Sequence, residues 1–188
     1  MRIIGGENKG VKLQVASKGV RPTTDFVKEK LFQTLENMGV FNADYEVTTL
    51  DLFGGSGALT FESISRGAGH GVILDSSQSS ISSIKHNLLL LNSQKTKVSI
   101  YKIDALKFVS RPNNREPYDV VFIDPPFRLE TSIVNNILHF LVTNNYLCEH
   151  SYIFSERERH SEAIILPPEL HLLKDLSKSD ILARVYEM

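Results

Sequence analysis

Residues that could hold a ligand and act on it occur together at two points of this chain. Gly54-Gly-Ser-Gly57 follows the apolar run 47–53, and Asp124-Pro-Pro-Phe127 follows the apolar run 118–123. Glycines let the backbone turn tightly and approach a ligand closely. A carboxylate next to two prolines and an aromatic ring forms a rigid polar platform. The two segments are therefore the candidate binding and reaction sites.

The second segment has the groups needed to hold an exocyclic amino group of a nucleobase. Pro125 and Pro126 fix an extended turn that projects Asp124 in a set direction. The Asp124 carboxylate and the Pro125 carbonyl could accept the two amino N–H bonds. Phe127 could stack on the ring, which contributes roughly 1–3 kcal/mol per base. The alternative is a structural Pro-Pro turn followed by a core phenylalanine.

The glycine segment differs from the two familiar phosphate-binding loops. The third glycine of the dinucleotide pattern G-x-G-x-x-G is replaced by Thr60, and no P-loop lysine is present. A smaller adenosine-containing ligand is therefore expected, the alternative being a tight turn without a ligand. Asp75, at the end of the next apolar run, could accept hydrogen bonds from ribose hydroxyls. Asp104, which ends the third predicted strand, could accept one from an adenine amino group.

Apolar runs alternate with helical patterns along the chain. A helical stretch follows the glycine segment through Ile64, with Gly67 as a candidate C-cap. Apolar residues also recur at helical spacing at positions 81, 84, 88 and 91, and again at 133, 137, 140 and 141. This alternation predicts βαβ units and a mainly parallel sheet. Ligands bind at the carboxyl ends of such strands, where four carboxylates should converge: Asp51, Asp75, Asp104 and Asp124. The predicted strands cover 47–53, 71–75, 98–104, 118–124, 152–155 and 181–186.

The first 45 residues have a different character. Residues 2–6 and 11–15 could pair as a β-hairpin, and Thr23, Thr24 or Asp25 could cap a following helix. Residues 1–35 contain seven Lys and Arg against three Asp and Glu, a net charge of +4, so the remainder carries −5. A basic arm suits a polyanion such as nucleic acid, although a solvated basic face is the alternative.

Composition excludes several other classes of protein. With the single cysteine Cys148, neither a disulfide framework nor a thiolate zinc site is expected, and the histidines lack metal-ligand spacing. No signal peptide or membrane span is apparent, so we expect a cytoplasmic protein. Ser56 lies in G-G-S-G and not in the G-x-S-x-G of hydrolases. The length of 188 residues fits one domain with a small appendage.

These segments together resemble the bacterial 16S ribosomal RNA guanine-N2 methyltransferases, the RsmD-like branch of class I S-adenosylmethionine-dependent enzymes. The resemblance is carried, in order, by MRIIGG, RPTTD with KEKLF, LDLFGGSGAL with SRGA, and FIDPPF, and it extends to about residue 127. It implies a Rossmann-like α/β fold, a seven-stranded mostly parallel sheet with helices on both faces. An N-terminal hairpin extension (1–45) would contact RNA, and residues 46–188 would form the methyltransferase domain.

The resemblance also assigns residues to each ligand. Asp124, Pro125, Pro126 and Phe127 would hold the guanine. S-adenosylmethionine would be bound by Asp51, Phe53, Gly54, Gly55, Ser56, Gly57, Asp75, Asp104, Ala105 and Asp124. RNA would be bound by Arg2, Lys9, Lys12, Arg21, Thr23 and Thr24. The implied partner is 16S RNA in the small ribosomal subunit or an assembly intermediate, and a monomer is expected.

Three departures from the family pattern occur at these positions. Gly55 stands where alanine is usual, Asp75 where glutamate is common, and Phe127 where tyrosine is frequent. Asp75 therefore has a shorter reach to a ribose, and Phe127 keeps stacking but lacks a hydroxyl. Alternative functions are a DNA adenine or cytosine amino methyltransferase and a non-catalytic RNA-binding assembly factor. A nicotinamide-dependent oxidoreductase is disfavoured by the missing third glycine.

Overall fold

The computed structural model describes residues 1–15, 24–91 and 97–188. Within this part the chain forms one sheet of seven strands with five α-helices and a short 3₁₀ turn, Val40–Asn42. The strands are β1 Thr48–Asp51, β2 His70–Asp75, β3 Val98–Lys102, β4 Val120–Ile123, β5 Tyr152–Glu158, β6 His171–Asp175 and β7 Ile181–Glu187. The helices are α1 Asp25–Asn37, α2 Ala58–Ser65, α3 Gln78–Leu90, α4 Ala105–Val109 and α5 Thr131–Thr143. No helix of the described ranges is long and apolar enough to span a bilayer.

The strand order is β3-β2-β1-β4-β5-β7-β6. Strands β1 to β5 are parallel, whereas β7 runs antiparallel between β5 and β6. The prediction of a seven-stranded, mostly parallel sheet is confirmed. The chain moves outward from β1 to β3 and then returns to place β4 beside β1. Ligands of open α/β sheets bind at such a reversal of strand order, which here lies between the ends of β1 and β4.

Strand β4 consists entirely of apolar residues because both of its faces are buried. Val121 and Ile123 pack in a cluster that includes α5, whereas Val120 and Phe122 pack in a second cluster that includes α1. Alternate side chains of a strand point to opposite faces. A parallel strand with helices on both faces is therefore apolar at every position, as β4 is.

The N-terminal segment, residues 1–15, folds back on itself before α1. Arg2 and Lys12 form an antiparallel bridge, supported by the hydrogen bond from the Ile3 N–H to the Val11 carbonyl (3.0 Å). Ile3 and Leu13 are buried in a cluster with residues of α2 and α3. Thr24 caps α1, its hydroxyl accepting from the Val27 N–H as its sequence position predicted. The predicted RNA-binding residues Arg21 and Thr23 lie outside the described ranges.

One predicted strand end is wrong, and two elements of the structure were not predicted from the sequence. Strand β3 ends at Lys102, so the prediction that it extends to Asp104 is wrong, and Asp104 instead forms the N-cap of α4. Helix α4 was not predicted because a five-residue helix shows little periodicity. Strand β6 was not predicted because it lies at the sheet edge with mostly exposed side chains and has no apolar alternation.

Candidate active site

Two carboxylates lie at the point where the strand order reverses. Asp51 ends β1, where it is paired in register with Phe122 of β4, and Asp124 follows β4 directly. Asp51 is only 2% exposed. Burial, followed by repulsion from Asp124 and to a smaller degree from Asp75, raises the pKa of Asp51 to about 8. The part of this shift that comes from repulsion by Asp124 and Asp75 would be relieved by a cation bound at this sheet edge.

The raised pKa of Asp51 predicts the pH dependence of stability in the ligand-free protein. Between about pH 4 and pH 8 the folded state keeps a proton on Asp51 that the unfolded state releases. The free energy of unfolding should therefore fall as pH rises through this range, by up to about 1.4 kcal/mol per pH unit from this group. Urea unfolding of the protein and of Asp51→Asn at several pH values measures it. Identical slopes for the two proteins would contradict the assignment.

The glycine segment is a tight turn in which two glycines are required. A Cβ atom at Gly54 would lie 2.3 Å from Ile73, and one at Gly57 would lie 2.4 Å from the Phe61 ring. Gly57 also has φ +80°, which disfavours other residues. The Gly54 N–H donates to the Leu74 carbonyl (2.8 Å), so the turn is fixed against β2.

Asp75 fastens this loop to the end of β2. One carboxylate oxygen accepts from the Gly55 N–H (2.9 Å), and the other accepts from the Ser77 N–H (2.7 Å). This positioning role was not predicted from the sequence. A carboxylate oxygen can accept more than one hydrogen bond, so Asp75 retains capacity for a ribose hydroxyl.

Three other predicted cofactor residues lie around the same sheet edge. Asp104 accepts from the Lys107 N–H (2.9 Å), and Ala105 is buried in the core cluster that contains α5. Phe53 is half-buried, and its N–H donates to Asp51 (3.3 Å). Asp104 therefore reaches the sheet edge from a helix cap, beyond the strand.

The Asp-Pro-Pro-Phe segment turns from β4 towards α5. Pro125 is buried, Pro126 is exposed, and Asp124 and Phe127 are half-buried. The Pro126 carbonyl accepts from the Leu129 N–H (2.9 Å), which closes a turn. Phe127 lines an open cavity of about 470 Å³. The segment thus presents a carboxylate and an aromatic ring at an accessible surface, and not a core phenylalanine.

Asn87 of α3 is buried, and its hydrogen bonds were not predicted from the sequence. Its side-chain amide donates to the Ser56 carbonyl (2.9 Å) and the Gln14 carbonyl (2.8 Å), and its oxygen accepts from the Gln14 N–H. The Ser56 hydroxyl also contacts the Met1 sulfur (3.2 Å). The available signal was a polar residue at an apolar position of the helix, three residues after Ile84. Asn87 links the glycine loop to the N-terminal segment.

The N-terminal segment also docks on α2 through Glu62, another contact missed from the sequence. The Glu62 carboxylate is fully buried and accepts from the Ile4 (2.8 Å) and Gly5 (2.7 Å) N–H groups. It pairs with the buried Lys28 of α1 (3.6 Å) and with Arg66 (2.9 Å). Burial lowers the pKa of Lys28, while Glu62 opposes that shift. These charges join α1, α2 and the N-terminal segment.

The predicted RNA-binding side chains are not equally accessible. Lys9 and Lys12 are exposed on the N-terminal segment. Arg2 is exposed but pairs with Asp25 (3.2 Å), and the Thr24 hydroxyl serves as the helix cap. Among the members of this set that the structure describes, Lys9 and Lys12 are therefore the better placed to meet a polyanion.

Comparison with known proteins identifies relatives over the whole chain. Residues 1–187 match the family described as conserved hypothetical protein 95. The chain is 34% identical to the ribosomal RNA small subunit methyltransferase D of Haemophilus influenzae, covering all of this chain and 93% of the relative. The structure of a candidate methyltransferase, yhhF of Escherichia coli, is 28% identical with a TM-score of 0.85, covering 100% and 97% of the two chains.

The fold extends to more distant proteins. A SAM-dependent methyltransferase of Agrobacterium tumefaciens, 20% identical, superposes with a TM-score of 0.66 over 90% of this chain and 63% of its own. The chain therefore has the fold of S-adenosylmethionine-dependent methyltransferases. On its match over the full length, it belongs to the family of the ribosomal RNA small subunit methyltransferase D proteins.

Proposed function

We propose that this protein transfers a methyl group from S-adenosylmethionine to the exocyclic N2 amino group of a guanine in 16S ribosomal RNA. The observation that carries the proposal is the position of Asp124-Pro-Pro-Phe127 beside the buried Asp51 and the glycine loop, at the reversal of strand order. Relatives named as small-subunit ribosomal RNA methyltransferases support the RNA target. The protein would act as a monomer in the cytoplasm, on the small subunit or an assembly intermediate.

The residues at the sheet edge fit S-adenosylmethionine. Burial and the neighbouring Asp124 raise the pKa of Asp51, and a cation bound beside its carboxylate would favour ionisation. S-adenosylmethionine carries positive charge on its sulfur and on its amino group. The cramped turn at Gly54 and Gly57 allows close approach of the backbone. On this proposal Asp51, Phe53 and residues 54–57 hold the methionine part, Asp75 the ribose, and Asp104 with Ala105 the adenine.

The catalytic work of the chain is to orient and activate a weak nucleophile. The bound cofactor supplies a methyl group on a positively charged sulfur that leaves as a neutral thioether. The lone pair of a guanine amino group is delocalised into the ring. Asp124 and the Pro125 carbonyl would accept its two N–H bonds and localise that lone pair on nitrogen. As positive charge develops there, the Asp124 carboxylate would stabilise it and take the proton. Phe127 would hold the base by stacking.

The N-terminal segment would bind the phosphates around the target base. Changing both Lys9 and Lys12 to alanine should raise the KM for RNA and reduce its salt dependence, because each phosphate contact releases a counterion. The kcat should change little, since neither residue lies in the reaction site. Steady-state methylation at several salt concentrations measures this, with Lys174→Ala on the opposite sheet edge as control. Equal salt dependence in the double variant and the unaltered protein would refute the role.

The test of the proposed function is a methyl-transfer assay on small ribosomal subunits that lack this modification. Radiolabel from S-adenosylmethionine should appear in 16S RNA and be recovered as N2-methylguanine. Duplex DNA is offered in parallel. Label in DNA would favour a DNA amino methyltransferase. Cofactor binding by calorimetry without label in any nucleic acid would favour a non-catalytic factor.

A further inference from the structure

The cavity beside Phe127 is lined by a charged residue, Arg157, that has no role in the proposed reaction. This cavity of about 470 Å³ lies between the first turn of α5 and the end of β5. Its charged lining consists of one guanidinium, Arg157, and three carboxylates, Glu130, Glu158 and Glu162. Because Phe127 also lines it, any base stacked on that ring would meet these groups.

Arg157 is unusual among these residues because it is nearly buried. It is 5% exposed, and its guanidinium donates to the Thr131 hydroxyl (2.9 Å) and, at 3.4 Å, to the Leu129 carbonyl. Both partners are neutral, and Arg157 takes part in none of the ion pairs found within the described ranges. The carboxylate of Glu162 acts on this guanidinium only from beyond ion-pair distance, so the free-energy cost of burying the cation is only partly offset. A guanidinium has five N–H donors, so these two bonds leave donors that can face the cavity.

The sheet register places Asp124 and Arg157 at the same end of the neighbouring strands β4 and β5. Ile123 of β4 pairs with Ser155 of β5. Asp124 leaves β4 one residue after this pair, and Arg157 lies two residues after it on the neighbouring strand. Arg157 shares a sheet face with Ser155 and Ile123, because side chains alternate. That face is the one covered by α5, towards which the Asp-Pro-Pro-Phe turn runs.

We propose that Arg157 determines the specificity of this site by donating hydrogen bonds to O6 and N7 of the target guanine. This inference rests on the proposed guanine-N2 methylation. With the 2-amino group held by Asp124 and the ring stacked on Phe127, the opposite edge of the base faces β5. Arginine is the residue whose planar fork matches the two acceptors O6 and N7 of guanine. Adenine carries a donor amino group at position 6 and is rejected there.

The charge of the cavity favours a base over a phosphate group. Three carboxylates surround the single guanidinium. A phosphate would be repelled by them, whereas a neutral guanine offers acceptors to Arg157 and an N1–H donor to a carboxylate. A purely structural role, in which Arg157 only ties Leu129 and Thr131 to β5, makes a different prediction. In that case, replacing Arg157 would lower the rate of methylation to the same extent for every base at the target position.

The test compares target bases in an RNA substrate whose methylated guanine has been identified. That position is synthesised as guanine, as 7-deazaguanine, which lacks only N7, or as 2-aminopurine, which keeps the 2-amino group but lacks both O6 and the N1–H. For the unaltered enzyme, each replacement should lower kcat/KM about 10- to 100-fold, the usual discrimination of a bidentate contact. Arg157→Met should be slow on guanine and lose the discrimination against 7-deazaguanine, while it keeps the part of the discrimination against 2-aminopurine that comes from the missing N1–H. Arg157→Lys should recover only part of the lost discrimination, because a point charge replaces the fork.

Each outcome has a defined meaning. Discrimination by Arg157→Met equal to that of the unaltered enzyme overturns the inference and leaves guanine methylation intact. A uniform loss with a changed salt dependence indicates a phosphate contact and also overturns it. Thermal unfolding and calorimetric binding of S-adenosylmethionine verify that each variant is folded. If Arg157→Met is unfolded, the same comparison of target bases is made with Arg157→Lys, and discrimination equal to that of the unaltered enzyme then overturns the inference. Absence of N2-methylguanine with the unaltered enzyme is instead a failure of the proposed function.

Discussion

Replacing Asp124 by alanine is expected to lower kcat for methyl transfer to RNA by about 10³-fold or more. The residue would orient the amino group, stabilise the charge that develops on nitrogen and accept the proton, and general-base and electrostatic effects of this kind each reach 10²-fold or more. Affinity for S-adenosylmethionine should change little. Asp124 adds to the repulsion that keeps Asp51 protonated, so its removal also eases ionisation of Asp51. Single-turnover methylation and calorimetric cofactor binding separate the two effects.

The variant Asp124→Asn distinguishes the roles of this carboxylate. Asparagine keeps one oxygen to accept an amino N–H but is a far weaker base, so it should retain orientation and lose proton acceptance. Asp44→Asn is the matched control, because Asp44 is exposed and precedes β1 at the opposite end of the strands. An Asp124→Ala enzyme with near-normal kcat would remove the residue from the mechanism and, with it, the main support for the proposed reaction.

Replacing Glu62 by alanine is expected to cost about 3–5 kcal/mol of the free energy of unfolding, the range measured when one partner of a buried ion pair is removed. The change leaves the fully buried Lys28 with only the half-exposed Asp25, at 4.0 Å, as an ion-pair partner. It also leaves the Ile4 and Gly5 N–H groups without their acceptor. For a chain of this size the loss corresponds to a fall in Tm of roughly 6–20 °C. Thermal and urea unfolding measure it.

The neighbouring Glu36 supplies the control for this experiment. It pairs with the same Arg66, but its side chain is 47% exposed, and surface pairs contribute at most about 1 kcal/mol. Glu36→Ala should therefore be nearly as stable as the unaltered protein. Amide exchange at Ile4 and Gly5 should accelerate in Glu62→Ala only. A loss of less than 1 kcal/mol in that variant would mean that the N-terminal segment is held mainly by Ile3 and Leu13.

These contacts link the two ligand sites of the proposal. Helix α2 begins directly after Gly57 of the cofactor loop, and Glu62 on that helix holds the N-terminal segment. Asn87 joins the same segment to Ser56 from α3. The segment that carries Lys9 and Lys12 is thus fixed to the elements that form the glycine loop. This arrangement would align phosphates bound by the arm with the reaction site.

The sequence by itself determined the parallel part of the fold and the position of the site. Runs rich in apolar and β-branched residues indicated β1, β2, β4 and β5. The signal was clearest for β4, which is covered by helices on both faces and is apolar at every position. The turns at residues 54–57 and 125–126 could also be recognised from the sequence, because glycine and proline have special backbone conformations. Since parallel strands end at one edge, the convergence of Asp51, Asp75 and Asp124 also followed from the sequence.

Only the tertiary structure decided the partners of charged and polar residues brought together from distant parts of the chain. The neighbours of Glu62 and Lys28 in the sequence do not indicate that these residues are buried, and Asn87 stands out only as a polar residue at an apolar helix position. Most of their partners are distant in the sequence, up to 73 residues for the contact between Asn87 and Gln14. The same holds for Arg157, whose place beside Phe127 depends on the register of β4 and β5. Local patterns fix strands, helices and turns, whereas a buried charge is recognised only when the chain segments that surround it are in place.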